Sequence, residues 1–311
     1  MLTSSSAERL QRCGITVFER GWLSSNNVLI TGATGPTTLV DSGYCTHSAQ
    51  TLALVNNALG PRPPDLLLNT HLHSDHCGGN AALQAAYPQL RTWIPPGLAD
   101  AVARWDPVAL TYAPTGQECP PFHFEGVLEP GRQLQMGDHV WEIHGAKGHD
   151  PHSIVLYQPD NGVLISADAL WQNGFGVVFP ELEGASAFDE VAETLDLIAA
   201  LHPAVIVPGH GPVFEDLPEA LAKARSRLQR FMEAPEQHLR HAQKVLLKFR
   251  LLDWQRIEQA ALLQWAKATP YLRQAMPLHS ETASASWLNT LLGELERSHA
   301  LRREGEFVIN I

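Results

Sequence analysis

The sequence lacks an apolar run long enough to cross a bilayer, since a spanning helix needs about 20 predominantly apolar residues and none occurs in the 311 positions. Residues 1–6 read Met-Leu-Thr-Ser-Ser-Ser and lack the basic segment and apolar stretch of a secretory signal. The four cysteines are Cys13, Cys45, Cys77 and Cys119. Because they form no Cys-x-x-Cys pair, they predict reduced structural thiols. We therefore expect a cytoplasmic protein without a membrane partner.

Basic residues are scarce in the first two-thirds of the chain. Residues 1–214 hold 8 Lys and Arg against 21 Asp and Glu, whereas residues 215–311 hold 14 against 12. A large nucleic-acid footprint usually appears as a basic patch, so this balance argues against one, although bound cations would reverse the field locally. We expect a small-molecule substrate. The same change in composition divides the chain into a first domain, 1–214, and a mostly helical second domain, 215–311.

What the chain does contain is a dense group of histidines after a predicted buried strand, Leu66 to Leu68. The segment that follows reads Asn-Thr-His-Leu-His-Ser-Asp-His-Cys-Gly-Gly-Asn, residues 69–80. Side chains two apart on extended backbone share a face, so His71 and His73 can hold one ion together. Asp75 and His76 can face a second ion beside the first. These ligands suit zinc, iron or manganese. A chance run of surface histidines is the alternative, and the strand-end position argues against it.

Three later segments repeat the pattern of an apolar strand followed by a residue that can bind a metal. His149 lies in a loop bounded by Gly and Pro between two predicted strands, and we interpret it as a third ligand beside the first two histidines. Asp168 follows the next predicted strand and has two oxygens with which it could bridge two cations. His210 stands between glycines after the last buried strand, and those glycines allow a close approach.

Three further side chains near these segments allow two interpretations each. Asp41 ends a strand before a Gly turn, where it either bonds its own backbone or orients a metal-binding histidine. His152 is interpreted as a group that stabilises the loop or orients a ligand, in preference to being a metal ligand itself. Cys77 adjoins the cluster and could touch the metal, but the neighbouring ligands already crowd that position.

Aromatic residues follow Asp168 on a loop that contains glycines. We predict that Trp171, Phe175 and Phe179 form an apolar substrate wall or lid, because ligand pockets are mostly apolar and lids are often loops. Packing of the same rings in the core beneath the loop is equally open.

The second domain shows helical periodicity almost throughout. Helices are predicted over 217–232, 236–252, 255–267 and 284–299, and a terminal hairpin turns at 304–305. The helix that begins at Ser284 carries several leucines and one basic residue, which is untypical of a nucleic-acid reader. It suits packing against the first domain or against a second subunit, which leaves a homodimer open.

The order and spacing of Asp41, the His-x-His-x-Asp-His segment, His149, Asp168 and His210 resemble the metallo-β-lactamase superfamily, in its glyoxalase II-like branch, over residues 15–214. The resemblance implies an α/β fold, an αββα sandwich, followed here by a small winged-helix-like domain. It also implies two divalent metal ions, zinc ahead of iron or manganese, with Asp168 bridging them. The implied ligands are His71, His73 and His149 for the first metal, and Asp75, His76 and His210 for the second.

The expected chemistry follows from the two charges. Two divalent ions lower the pKa of a bridging water towards neutrality, so the protein would be a hydrolase that uses a metal-bridged hydroxide on a small ester, thioester or lactone. Asp168 would hold the ions, and Asp75 or a metal-bound water would deliver a proton to the leaving group. The alternatives are a metal-dependent endoribonuclease or phosphodiesterase with a winged-helix tail, and a low-turnover signalling or interaction protein that retains the metal site.

Overall fold

The computed structural model describes residues 2–311, and within that range it contains fourteen strands, thirteen α-helices and two 3₁₀ helices, Cys45–His47 and Pro96–Leu98. The strands are β1 (Ile15–Phe18), β2 (Asn27–Ile30), β3 (Thr38–Val40), β4 (Leu66–Leu68), β5 (Arg91–Ile94), β6 (Gly126–Val127), β7 (Gln133–Met136), β8 (His139–Gly145), β9 (Ile154–Gln158), β10 (Val163–Ala167), β11 (Val205–Pro208), β12 (Arg256–Glu258), β13 (Leu301–Glu304) and β14 (Phe307–Asn310). The helices are α1 (Ser4–Arg12), α2 (Ser48–Leu59), α3 (Ser74–Cys77), α4 (Asn80–Ala86), α5 (Ala99–Arg104), α6 (Tyr112–Thr115), α7 (Phe179–Leu182), α8 (Phe188–Leu201), α9 (Leu217–Glu233), α10 (Pro235–Trp254), α11 (Gln259–Ala268), α12 (Pro270–Arg273) and α13 (Glu281–Arg297).

Two sheets form the first part of the chain. The first has the order β1-β2-β3-β4-β5-β6 and the second the order β11-β10-β9-β8-β7. In the first sheet β1 to β3 form an antiparallel meander, and the strands from β3 to β6 run parallel. In the second sheet only β10 and β11 run parallel within the described chain. Parallel neighbours such as β3 and β4 end at the same edge, where their following loops meet.

The two sheets pack face to face, and helices cover both outer faces. On β2, Val28 and Ile30 belong to the core between the sheets, whereas Leu29 belongs to the core under α2 and α4. On the second sheet, Ile165 faces the inner core and Leu164 faces the core under α8 and α9. Both assignments follow from the alternation of side chains along a strand. The predicted αββα sandwich is confirmed.

Helix α9 belongs by packing to the outer layer of the sandwich, because Leu221, Leu228 and Phe231 join the core formed with α8. A second core begins with α10 and includes Leu246 of α10 and Leu292 of α13. The leucines of α13 are therefore buried against other C-terminal helices of the same chain, such as α10 and α11. Val177 and Leu182, from the first part of the chain, also belong to this second core.

A three-stranded sheet with the order β12-β14-β13 closes the chain, and it includes the predicted terminal hairpin. The prediction of a helix over 255–267 is wrong at its start, since Arg256–Glu258 forms β12 and pairs with β14. Gln255 has φ of 60°, which ends α10 and turns the chain into an extended conformation. Helix α11 begins only at Gln259. Within residues 2–311, every helix is too short or too polar to cross a bilayer.

Candidate metal centre

Three imidazole nitrogens converge beyond the end of β4. The His73 Nδ1 atom lies 2.8 Å from His149 Nε2, and His149 Nε2 lies 3.2 Å from His71 Nε2. All three side chains are buried. His71 and His73 come from the segment after β4, and His149 comes from the loop between β8 and β9. The structure thus brings together the three histidines that the sequence predicted as one ligand group.

The hydrogen bond made by Nδ1 of His149 determines the tautomer of its neutral ring. Its Nδ1 donates to the carbonyl oxygen of Val177, which can only accept. Nε2 of the neutral ring is therefore a lone pair, and it points towards His71 and His73. Burial first, and then the neighbouring His76, lowers the pKa of His71 well below 6.5. Neutral imidazoles whose nitrogens face one another at these distances fit the coordination of a metal ion.

A second group consists of Asp75, His76 and His210. His210 Nε2 lies 3.0 Å from Asp75 Oδ2, and His76 Nε2 lies 3.9 Å from the same oxygen. Asp75 and His76 lie on the short helix α3, and His210 follows β11. The parallel pair of β10 and β11 ends at this edge, which explains how residues more than 130 positions apart meet.

Asp168 stands between the two groups, with one oxygen towards each. Its Oδ1 lies 3.3 Å from His76 Nε2, and its Oδ2 lies 3.5 Å from His149 Nε2. Burial opposes ionisation, but His76 and His210 hold the pKa of Asp168 well below its usual range. Ala167, directly before it, has φ of 46°, an uncommon conformation that aims the following carboxylate away from the strand direction.

Asp41 contacts the centre directly beneath His76. Its carboxylate accepts from the amide of Thr70 at 2.9 Å, from the hydroxyl of Thr70 at 2.8 Å and from His76 Nδ1 at 2.8 Å. With Nδ1 donating to Asp41, the other ring nitrogen of His76, Nε2, faces Asp168. Burial lowers the pKa of His76, but Asp168 and Asp41 together raise it well above 6.5. Either a proton or a cation must lie between Nε2 and the carboxylate, so the donor set fits a metal ion.

Two predicted residues lie elsewhere. The ring of His152 packs on the backbone of Gly97, where an added Cβ would come 2.0 Å from His152 Nδ1. Asp150 is the nearer carboxylate, with its Oδ2 3.9 Å from His73 Nε2, which is too far for a hydrogen bond. Phe175 is only 1 % exposed and packs edge-on against Phe231 of α9, so it belongs to the core and is wrong as a pocket residue.

A cavity of about 420 Å³ opens beside the two ligand groups. Trp171 and Phe179 line it as predicted, and Trp171 Nε1 donates to Asp168 Oδ1 at 3.2 Å. Sequence reasoning missed Trp22, whose ring stacks on His210 with centroids 5.3 Å apart. It also missed Arg227 of α9 and the residues of α10, which form the far wall. No local motif marks these residues, since α9 and α10 reach the cavity only through tertiary packing.

The family model described as the metallo-β-lactamase superfamily matches residues 20–210. The chain belongs to this superfamily. The match spans both ligand groups and the strands from β2 to β11, whereas β1 and the helices from α9 onward lie outside it.

Curated relatives align with less than half of the chain. A hydroxyacylglutathione hydrolase from Trichormus variabilis is 31% identical over 140 residues, which are 43% of this chain and 45% of the relative. One from Rhodobacter capsulatus is 32% identical over 145 residues, 46% of this chain and 47% of the relative. The chain thus matches less than half the length of these relatives.

Solved structures extend the likeness to the C-terminal region. A beta-lactamase domain protein from Burkholderia ambifaria has a TM-score of 0.59 at 20% identity and covers 96% of this chain and 92% of its own. A metallo-beta-lactamase family protein from Thermus thermophilus has a TM-score of 0.55 at 19% identity over 96% and 99%. TTHA1623, solved in a di-iron-bound form, is 26% identical with a TM-score of 0.51 and covers 67% and 98%.

Proposed function

We propose that this protein is a hydrolase that uses two divalent metal ions to cleave a small ester, thioester or lactone. The observation that carries the proposal is the position of Asp168, with one carboxylate oxygen towards each of two groups of three donors. A structural metal site needs only four closed ligands, so seven converging side chains beside an open cavity favour catalysis.

His71, His73 and His149 would hold one ion, and Asp75, His76 and His210 the other, with Asp168 shared. Such a pair of ions, zinc ahead of iron or manganese, supplies an activated water near neutral pH and polarises a carbonyl group. The Nε2 atoms of His149 and His76 would be the metal donors, because the Nδ1 atoms of the two rings are bonded to Val177 and Asp41, and at His76 the cation would take the place of the proton on Nε2.

The residues around the ligands position the substrate and move the proton. Asp75 is the most exposed of the centre's carboxylates, with 14% of its side chain accessible, and it lines the cavity. It is therefore the group that can carry a proton to the leaving atom. Trp171 holds Asp168 by its indole N–H. Phe179 packs edge-on against His73 and offers an apolar surface beside the reacting bond.

The relatives support the acyl-transfer class, because their name, hydroxyacylglutathione hydrolase, describes action on an acylated glutathione. The C-terminal region gives less support to the endoribonuclease alternative. Helix α13 buries Leu288, Leu291 and Leu295 in the second core and turns no basic stripe outward. The alternative of a signalling or interaction protein with low turnover is tested by the hydrolysis rates measured below.

The test is turnover of a panel of acyl thioesters, aryl esters and lactones by protein whose metal content has been measured. We expect hydrolysis that falls at least about a hundredfold in His71→Ala, since an activated water is lost with its ligand. His123→Ala is the matched control, because His123 is largely exposed and lies outside the centre. A metal-loaded protein that hydrolyses none of the panel faster than His71→Ala would overturn the proposal.

A further inference from the structure

The cavity beside the metal centre has one charged wall. Arg227 of α9 lines it and is half buried, and its Nη1 donates to the carbonyl oxygen of Phe175 at 3.2 Å. Within residues 2–311 no carboxylate lies within 4.0 Å of this guanidinium. Arg225, two positions earlier on the same helix, shows the usual arrangement, since it pairs with Asp196 at 2.6 Å on the surface. The guanidinium has five N–H donors, of which one is used on Phe175, and the Phe175 ring lies 6.0 Å from its carbon, so donors remain free for a ligand in the cavity.

Arg227 is close to the ligands through a short loop. A Cβ added to Gly174 would lie 2.6 Å from its Nη1. Two residues later, a Cβ added to Gly176 would lie 2.4 Å from His149 Nδ1. The same few residues therefore touch the guanidinium at one end and a ligand histidine at the other. A small molecule can reach both.

The neighbouring groups leave Arg227 as the source of charge on this wall. His241 of α10 lines the same cavity, and burial first, then Arg227, lowers the pKa of His241 to about 4. It is thus neutral at pH 7 and offers one N–H. Lys244, one turn along α10 by position, has its ammonium 3.2 Å from Glu294. Burial lowers the pKa of Arg227, but a guanidinium remains protonated at neutral pH.

We propose that Arg227, with the N–H of His241 beside it, binds a carboxylate of the substrate, so that the preferred substrate is an acyl compound with a negatively charged end. This inference rests on the proposed hydrolase function and names its substrate class. One uncompensated cation matches one monoanion, and the planar guanidinium fork matches a carboxylate. The remaining wall, with Val177, Phe179 and Leu246, is apolar and suits the carbon chain between the carboxylate and the scissile bond.

The experiment compares matched pairs of thioesters on one small neutral thiol. Each pair consists of an ω-carboxyacyl thioester and the analogue in which an isopropyl group replaces the carboxylate, with acyl chains of about four to eight carbons. The readout is the ratio of kcat/KM for the charged over the neutral member. We expect a ratio of about 10 to 100 for the best chain length, because a hydrogen bond to a charged group contributes that much.

The variants are Arg227→Met, Arg227→Lys and the control Arg225→Met. We expect Arg227→Met to lower the ratio below about threefold, and Arg227→Lys to retain part of it, since the charge remains but the fork is lost. Arg225→Met removes the same charge from the same helix and should keep the wild-type ratio. Because a ratio is measured, a general loss of activity cancels. A wild-type ratio near one, or an unchanged ratio in Arg227→Met, would overturn the subsite.

Binding separates failure of the subsite from failure of the hydrolase. Calorimetry with 3-phenylpropionate and its uncharged primary amide, 3-phenylpropionamide, uses the metal-loaded protein and requires no turnover. We expect Arg227→Met to weaken the acid about tenfold or more relative to the amide, as loss of a charge-assisted pair requires. If the acid binds equally well to Arg227→Met, the carboxylate sits on the metals and the inference is wrong. If thioesters are not cleaved but this difference holds, the hydrolase proposal fails alone.

Discussion

A single carboxylate, Asp41, binds Nδ1 of His76 and so leaves its Nε2 facing Asp168. We predict that Asp41→Asn weakens metal binding at the second group about 10- to 100-fold, because the charged partner that fixes the His76 tautomer is lost. The asparagine keeps one oxygen for Thr70, which protects the fold. Competition with a chromophoric chelator measures the affinity. Asp65→Asn, which alters an exposed carboxylate bound to the amide of Thr37, is the control and should bind metal as the wild type does.

His238 makes stability depend on pH, independently of the metal ligands. Burial lowers its pKa to about 4, and its Nε2 accepts from the amide of Val178 at 3.1 Å. Because the folded pKa lies below the unfolded value, the stability is complete above about pH 6.5 and is lost as the pH falls towards 4. The loss should be about 2–4 kcal/mol. Urea unfolding between about pH 4 and 7 measures it.

The variant His238→Gln isolates this contribution from that of the other buried histidines. Its free energy of unfolding should depend less steeply on pH between about 4 and 6.5 than that of the wild type. His123→Gln changes an exposed imidazole and should keep the wild-type slope. Equal slopes for all three proteins would contradict the prediction.

At the scale of the element, the loop after β10 controls the first ligand group through Gly176. A Cβ at this position would lie 2.4 Å from His149 Nδ1, so Gly176→Ala must move either the loop or the imidazole. We expect a loss of about 1–3 kcal/mol in stability together with reduced metal content, measured on the purified protein by elemental analysis. Gly145→Ala is the control, since its Cβ would meet only Pro130 at 3.7 Å.

The elements that carry the ligands could be predicted because the signals are local. Strand β4 is a short apolar run, and the His-x-His-x-Asp-His segment begins three residues after it ends. The role of Phe175 could not be predicted, because the direction in which a loop ring points is decided by its distant partner, Phe231. The start of α11 was wrong for a similar reason, since the helical pattern continues through a backbone reversal at Gln255. Helix α1 carried no signal that sequence reasoning used.

At the scale of the whole molecule, metal binding and folding are coupled. The ligands come from both sheets and from four segments between residues 71 and 210. Removing bound metal should therefore lower the Tm. The free energy of unfolding should fall by about 2.7 kcal/mol for each site at which the free metal had been about 100 times its Kd. Thermal unfolding with and without a chelator measures this, and restoring zinc, iron or manganese should reverse it. A Tm that does not change on chelation of loaded protein would contradict the coupling.

The cavity is lined by residues from both parts of the chain, so local sequence patterns could identify only some of its lining residues. The metal-binding edge is built by residues before 214, but the opposite wall is built by α9 and α10. Helix α9 packs into the outer core of the sandwich, and Val177 reaches into the C-terminal core. The division after residue 214 stays a prediction, but packing across it explains why Arg227 and His241 escaped a motif-based search.

The indole of Trp22 lies flat on His210, with an angle of 9° between the rings, and is still 55 % exposed. An indole in such contact with an imidazole changes its fluorescence when that imidazole gains positive charge. Trp22 is therefore a fluorescent reporter at the edge of the cavity. The chain has eight tryptophans, and subtracting the emission of the Trp22→Phe variant from that of the wild type isolates the emission of Trp22. The change in that emission on addition of a divalent cation can then be followed in real time.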